Sequence, residues 1–509
     1  MTSASIKRAC IEICALLLML GAADEAARAD SFTFPQIDET TMTRELSQSS
    51  VRIFRTSDAS AQDGSGFVVD SEAGLIVSAA HVVRGARDAV WVSFANSSDL
   101  YKAIVLLPKA AATGTDDQPD IAVLKLEHPE SASGAFEVQF DTIDVEHEHR
   151  VTGFGRDSPS PLEATGKPGR QSDCNFVIRS PTLHGDSGSA VLTDEGLVDG
   201  IAVEGRESGG TSSMAETVVL PMSCVRDVIL PFIPDQDTEK ILDIFRSGDA
   251  RALRNAFQPP VVPPRGVNNL RLAKALIWGI AERRKNGQFP VLADPQRMLA
   301  VMPIIVERRL GYTLLRDFTL ASSTSKFAAG DAFQILGDTL RVAGSKQDAA
   351  QAYTEARNLY WSYAASLVPN SWSAIDGKVD GSLDVAKAYK AAADSMTKRG
   401  NLTKNEDDYR QAATLAAAAI FHAPDGPLKA SSWATLGSAS QAAGDVSVAA
   451  PAYDAAIKEG VSTLWAKNGL KDSRDQLGTK PALDLDAGFL ANRANEATSI
   501  AKAFGRNPS

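Results

Sequence analysis

The sequence is poor in cysteine, has no excess of positive charge, and carries no apolar run of membrane-spanning length after its first residues. Four cysteines in 509 residues exclude a disulfide-dense scaffold. Lys and Arg number 52 against 63 Asp and Glu, a net charge of −11, with no basic run to offset it. That balance excludes nucleic acid and anionic membrane as partners by bulk electrostatics. The single apolar run, "ALLLMLGAA" at 15–23, is shorter than the roughly 20 residues of a spanning helix. Lys7 and Arg8 precede it, and small residues suited to cleavage follow, after Ala23 or Ala29. This is the order of a secretory signal. The alternative, an uncleaved anchor, is opposed by Glu12, which interrupts the apolar stretch. With the signal removed, no stable membrane insertion is expected, and Cys10 and Cys14 leave with it. Cys174 and Cys224 remain. In an oxidising compartment they either pair, contributing roughly 3–4 kcal/mol in the chain-entropy model, or stay as two buried free thiols.

What is present divides by texture. The length implies two to four domains, and 44% hydrophobic residues fit a globular chain. From about 51 to 234, short β-branched runs such as "GFVVD", "GLIVSA", "IAVLKL" and "VDGIAV" alternate with Gly, Ser, Asp and Pro clusters. That spacing predicts an all-β barrel or sandwich. After 235 the texture becomes alanine-rich and helical, interrupted by the stiff linker "QPPVVPPRG" at 258–266.

The helical half repeats. "FQILGDTLRVAGSKQDAAQAYTEA" aligns with "WATLGSASQAAGDVSVAAPAYDAA", matching Phe333 with Trp433, Gly337 with Gly437, Gly344 with Gly444, and Tyr353 with Tyr453. A weaker third copy places Tyr389, Ala393, Gly400, Tyr409 and Ala412 in the same register. The pattern resembles the tetratricopeptide helix–turn–helix unit, but its copies are spaced more widely than the regular unit of about 34 residues. The resemblance implies a surface for a protein partner; the alternative is structural packing or dimerisation.

Three residues carry the chemistry. His81 ends a β-branched strand in "GLIVSAAHVVRG", Asp120 opens a strand in "DQPDIAVLKLE", and Ser187 lies between glycines in "TLHGDSGSAV" at 182–191. Each alone is a common turn or strand-end residue. Together they supply the base, orienting carboxylate and hydroxyl that nucleophilic serine catalysis needs. His147 and His149 in "EHEHR" lack a third ligand motif, so a solvated loop or edge strand is expected rather than a metal site. No cofactor and no metal are implied.

The region from about 51 to 232 resembles the chymotrypsin-fold serine peptidases, particularly the bacterial HtrA-like branch. "GSGFVVDSEAGLIVSAAHVV", "DIAVLKL", "HGDSGSAVL", "GLVDGIAVEG" and "TVVLPMSCVRDVI" follow the family's order. The resemblance implies His81 as general base then acid, Asp120 as its orienter, and Ser187 as nucleophile. It implies the Gly185 and Ser187 amides as oxyanion hole. Ala202, Val203, Glu204 and Gly205 would pair with the backbone of a protein or peptide substrate. Departures are Ser189 where many relatives have glycine, and Asp186 where the HtrA-like branch usually has asparagine. Pro181 stands where a carboxylate would select basic residues, and His184 and Glu204 either bias specificity or are rim residues. Helical repeats replace the PDZ domains common in that branch, so recognition of free C-termini is not implied.

The fold class expected is multidomain: an all-β double-barrel chymotrypsin-like protease domain followed by an all-α helical-repeat, tetratricopeptide-like domain. The segments are a signal peptide at 1–29, the peptidase domain at 30–235, and a helical and proline-rich linker at 236–268. A helical connector at 269–325, repeats at 326–475 and a partly helical tail at 476–509 follow. The function expected is an exported, periplasmic or secreted, serine endopeptidase. The alternative is a silent or ligand-gated protease-fold scaffold whose repeats bind a protein.

Overall fold

A computed structural model describes residues 48–506, outside 59–61, 109–118, 144–146, 156–157, 180–184, 208–213, 236–237, 253–254, 256–267, 287–294, 370–381 and single positions. The signal at 1–29, with Cys10 and Cys14, the linker at 258–266, and Pro181 and His184 lie outside the described residues. The chain divides into two compact units, one of Met1–Glu137 with Ile143–Met222, the other of Val138–Thr142 with Ser223–Ser509.

The first unit is built from the short β-branched runs. β1 (Ser50–Phe54), β2 (Gly64–Asp70), β3 (Leu75–Ser78), β4 (Ala89–Phe94), β5 (Tyr101–Leu107) and β6 (Ala122–Leu126) close a barrel in the order β1-β2-β3-β6-β5-β4. Its core holds Val51, Ile53, Val68, Ile76, Val90, Val92 and Leu124, each stabilising the fold by about 1.5–3 kcal/mol on burial. All seven residues of β2 are buried, because Phe136 covers the second face by packing edge-on against Phe67. β7 (His149–Gly153), β8 (Leu162–Gly166), β9 (Pro168–Ser172), β10 (Asn175–Ile178), β11 (Ala190–Leu192), β12 (Val198–Glu207) and β13 (Met214–Pro221) form a seven-stranded sheet. Its order is β8-β7-β11-β12-β13-β10-β9. Val151, Phe176, Ile178, Val191 and Val219 fill its core.

The "EHEHR" stretch corrects a sequence expectation. His147 is exposed, but His149 is 1% exposed. It lies on β7, flanked by β8 and β11, and its Nε2 stands 2.7 Å from Asp199 Oδ2 on β12. The buried carboxylate is the partner that lets an imidazole occupy an interior strand. Among the described residues, no three His, Cys, Asp or Glu side chains are grouped to hold a metal ion. Among them too, no helix is long and apolar enough to cross a membrane. Cys174 and Cys224 are both disulfide-bonded.

The second unit is helical. Helices Lys326–Val342, Lys346–Leu367, Ser382–Thr403, Glu406–His422, Pro427–Ala442, Val446–Lys458 and Leu464–Leu477 each pack on the next. Ser325 and Asp445 cap two of them through side-chain oxygens that accept from Ala328 N and Val448 N. Two repeat copies share one contact. A Cβ on Gly337 would lie 2.7 Å from the Tyr353 ring, and one on Gly437 would lie 2.8 Å from the Tyr453 ring. Gly344 and Gly444 occupy turns at φ +89° and +78°. The third copy differs: Gly400 sits inside a helix against the Tyr409 ring, not in a turn as the alignment with Gly344 requires.

Val138–Thr142, which joins the barrel to the seven-stranded sheet, belongs to the helical unit. Asn269 Nδ2 donates to Val138 O at 2.6 Å and to Arg308 O at 2.7 Å. Phe140 N donates to Arg309 O at 2.7 Å, and Gly311 N donates to Asp141 Oδ1 at 3.1 Å. Burial pushes the Asp141 carboxyl up to about 6; Arg309 opposes the shift and Asp348 adds to it. The folded chain therefore holds this proton more tightly than the unfolded chain. The stability it confers is full below the ordinary carboxylate range and is lost as pH rises through about 6. Asp141→Asn is expected to flatten that dependence and to stabilise the unit by roughly 1–2 kcal/mol near neutral pH, allowing for partial solvent screening. Thermal melts of both proteins across this range are the check; parallel pH profiles would contradict it.

Candidate active site

Register brings the first two candidate residues together. β3 and β6 are antiparallel neighbours whose last pair is Ser78 with Ala122. β3 runs on into a short helix, Ala80–Val83, that carries His81 and is anchored by buried Val82 and Val83. Asp120 lies just before Ala122 on the facing chain, so its carboxylate meets the imidazole. Asp120 Oδ2 stands 2.7 Å from His81 Nδ1, and Oδ1 accepts the His81 backbone N–H at 3.0 Å. Burial alone would raise the Asp120 carboxyl, but the bonds and charge from His81 outweigh it, and it is held below the ordinary carboxylate range. An ionised Asp120 accepts from Nδ1–H, which leaves Nε2 as the basic nitrogen. About a third of each side chain remains exposed, 35% for His81 and 36% for Asp120.

Ser187 sits in the tight loop before β11. Gly185 and Gly188 take φ +106° and +88°, conformations that favour glycine. Backbone bonds fasten the loop: Gly188 N to Ala202 O at 2.7 Å, Ala202 N to Ser189 O at 2.9 Å, and Ser189 N to Asp186 O at 2.9 Å. Gly64 brings the Ser187 loop and the His81 helix together, since a Cβ there would lie 2.5 Å from Val82 Cγ2 and 2.9 Å from Ser187 O. The His81 ring and backbone N–H both bond to Asp120, and no hydrogen bond joins His81 to Ser187. Asp186 is buried, and Ser189 is wholly buried against Gly153.

The cleft strand divides in two. Ala202 has its amide and carbonyl engaged by the Ser187 loop, so its backbone is structural rather than open to a substrate. Past it, β11 has ended at the Ala190–Ile201 pair, whereas β12 continues through Val203, Glu204 and Gly205 against β13. Glu204 is exposed. The motifs "GSGF" and "IVSAAH" give no sign of a role for Ser65 or Ser78, because the Ser65 hydroxyl finds its partners, Gly185 and Phe154, 120 and 89 residues along the chain.

A closed six-stranded barrel, a seven-stranded sheet and a His–Asp pair beside a glycine-flanked serine define a two-barrel serine protease fold. Residues 64–201 match the trypsin-like peptidase domain family, and the chain carries that domain. Solved structures with likeness to it include a serine endoprotease from Yersinia pestis, at 18% identity and TM-score 0.31, covering 40% of this chain and 66% of that one. The Rv3671c protease of M. tuberculosis, in an inactive form, gives 17% and 0.29, covering 39% and 93%. The HtrA-type protease AlgW, solved with a decapeptide, gives 14% and 0.31, covering 41% and 75%. No curated protein matches the chain.

Proposed function

We propose that the chain is an exported serine endopeptidase acting on protein or peptide substrates. The observation that carries this reading is the doubly bonded His81–Asp120 pair, 2.7 Å and 3.0 Å, beside a serine in a glycine-built loop. His81 Nε2 takes the Ser187 proton as Ser187 Oγ attacks the scissile carbonyl. The Gly185 and Ser187 amides receive the oxyanion, and His81 then protonates the leaving amine. Water resolves the acyl-enzyme by the same steps in reverse. The tetratricopeptide-like helices recruit substrate or a protein partner; the Gly–Tyr contact common to two copies supports the repeat pattern on which this reading rests.

A second reading, a ligand-gated enzyme or silent scaffold, is favoured by one feature: His81 and Ser187 are not hydrogen-bonded to each other. Such bonds often tighten only on substrate binding. A fluorophosphonate probe separates the two. The first reading expects label on the full-length mature chain and none on Ser187→Ala. An unlabelled wild type would hand the case to the second.

A further inference from the structure

We propose that Ser65 is a positioning residue for the oxyanion-binding loop, setting the direction of its amides from the facing barrel. The inference rests on the peptidase reading above. Ser65 is wholly buried on β2. Its hydroxyl donates to Gly185 O at 2.7 Å, and the same oxygen accepts from Phe154 N at 2.9 Å. Its backbone N–H donates to Ser187 O at 2.8 Å, and its carbonyl accepts from Ser78 Oγ at 2.6 Å. One residue of the first barrel thus donates twice to the nucleophile loop.

Peptide planarity converts these contacts into aim. The Asp186 carbonyl is drawn to Ser189 N, so the Ser187 N–H, trans across the same peptide, points the opposite way. The carbonyls on either side of that peptide, Gly185 and Ser187, are both held by Ser65. Gly185, at φ +106°, has no Cβ to restrain it; the Ser65 hydroxyl supplies the restraint. Ser78 extends the support, because its hydroxyl ties Ser65 to the end of β3, and His81 follows on the same chain. Base and nucleophile loop therefore share one hydroxyl-linked brace.

The test compares full-length wild type, Ser65→Ala and Ser93→Ala on one fluorogenic peptide. Ser93 is a serine of β4, 1% exposed, whose hydroxyl donates to Ser97 O at 2.8 Å and accepts from Arg52 at 3.0 Å. It controls for loss of a buried hydroxyl away from the loop. Ser65→Ala is expected to lower kcat about 10–100-fold with KM within about twofold, and to slow fluorophosphonate labelling alike. Ser93→Ala is expected to leave kcat unchanged. Should Ser65→Ala not fold, Ser65→Cys, with its weak S–H donor, carries the same comparison. A Ser65 variant with the kcat of an active wild type, or an equal fall in Ser93→Ala, overturns the inference alone. A wild type that neither hydrolyses nor labels overturns the peptidase reading and this inference together.

Discussion

Asp120→Asn is expected to lower kcat about 10⁴-fold without unfolding the chain. The size follows from the two bonds that Asp120 makes. Oδ1 accepts the His81 backbone N–H, and Oδ2 faces Nδ1 of the ring. An asparagine must keep its oxygen on the backbone N–H, so its NH₂ turns toward Nδ1. The ring then accepts at Nδ1 and carries its proton on Nε2, the nitrogen that should receive the proton of Ser187. The base is present but filled. Peptide hydrolysis against wild type, beside thermal melts, checks this. A variant that melts as wild type and retains a tenth or more of its kcat, taken as an order-of-magnitude threshold, would argue that Asp120 does not set the tautomer.

Gly188→Ala is expected to abolish activity, with a loss of about 10³-fold or more, and to lower the melting temperature. The backbone there is at φ +88°, which strains any residue with a Cβ. The new methyl carbon would also lie 2.2 Å from Ser65 O and 2.3 Å from Ser78 Oγ. Neither neighbour can yield, since the Ser78 hydroxyl is bonded to that same carbonyl. The loop must retreat, taking Ser187 and the Gly185 and Ser187 amides with it. Near-normal turnover and labelling in Gly188→Ala would mean the loop is less tightly braced than its contacts imply.

Much of the candidate site is legible in the sequence because its motifs are local. A β-branched run ending in small residues and a histidine, an aspartate opening a strand, and a serine between glycines each declare themselves within ten residues. The change from β-branched to alanine-rich texture is likewise local, as is the Gly–Tyr spacing shared by Gly337–Tyr353 and Gly437–Tyr453. The place of His149 is not legible in the sequence for the opposite reason. Nothing near "EHEHR" announces a buried carboxylate, and Asp199 lies 50 residues on. The third repeat departs from its alignment for a similar reason, since helix boundaries decide whether a glycine such as Gly400 turns the chain or packs within it.

By itself the sequence determined where strands give way to helices and which histidine, aspartate and serine are candidates, because propensity and short motifs depend on neighbours in the chain. Tertiary structure alone decided that β3 and β6 align to set Asp120 on His81, 39 residues apart. It also decided that Ser65 holds Gly185 across 120 residues, and that Val138–Thr142 packs with the helices. Those outcomes depend on which buried polar groups find partners once the chain is packed. That matching is imposed by the cost of leaving such groups unsatisfied and leaves no mark on the residues nearby in sequence.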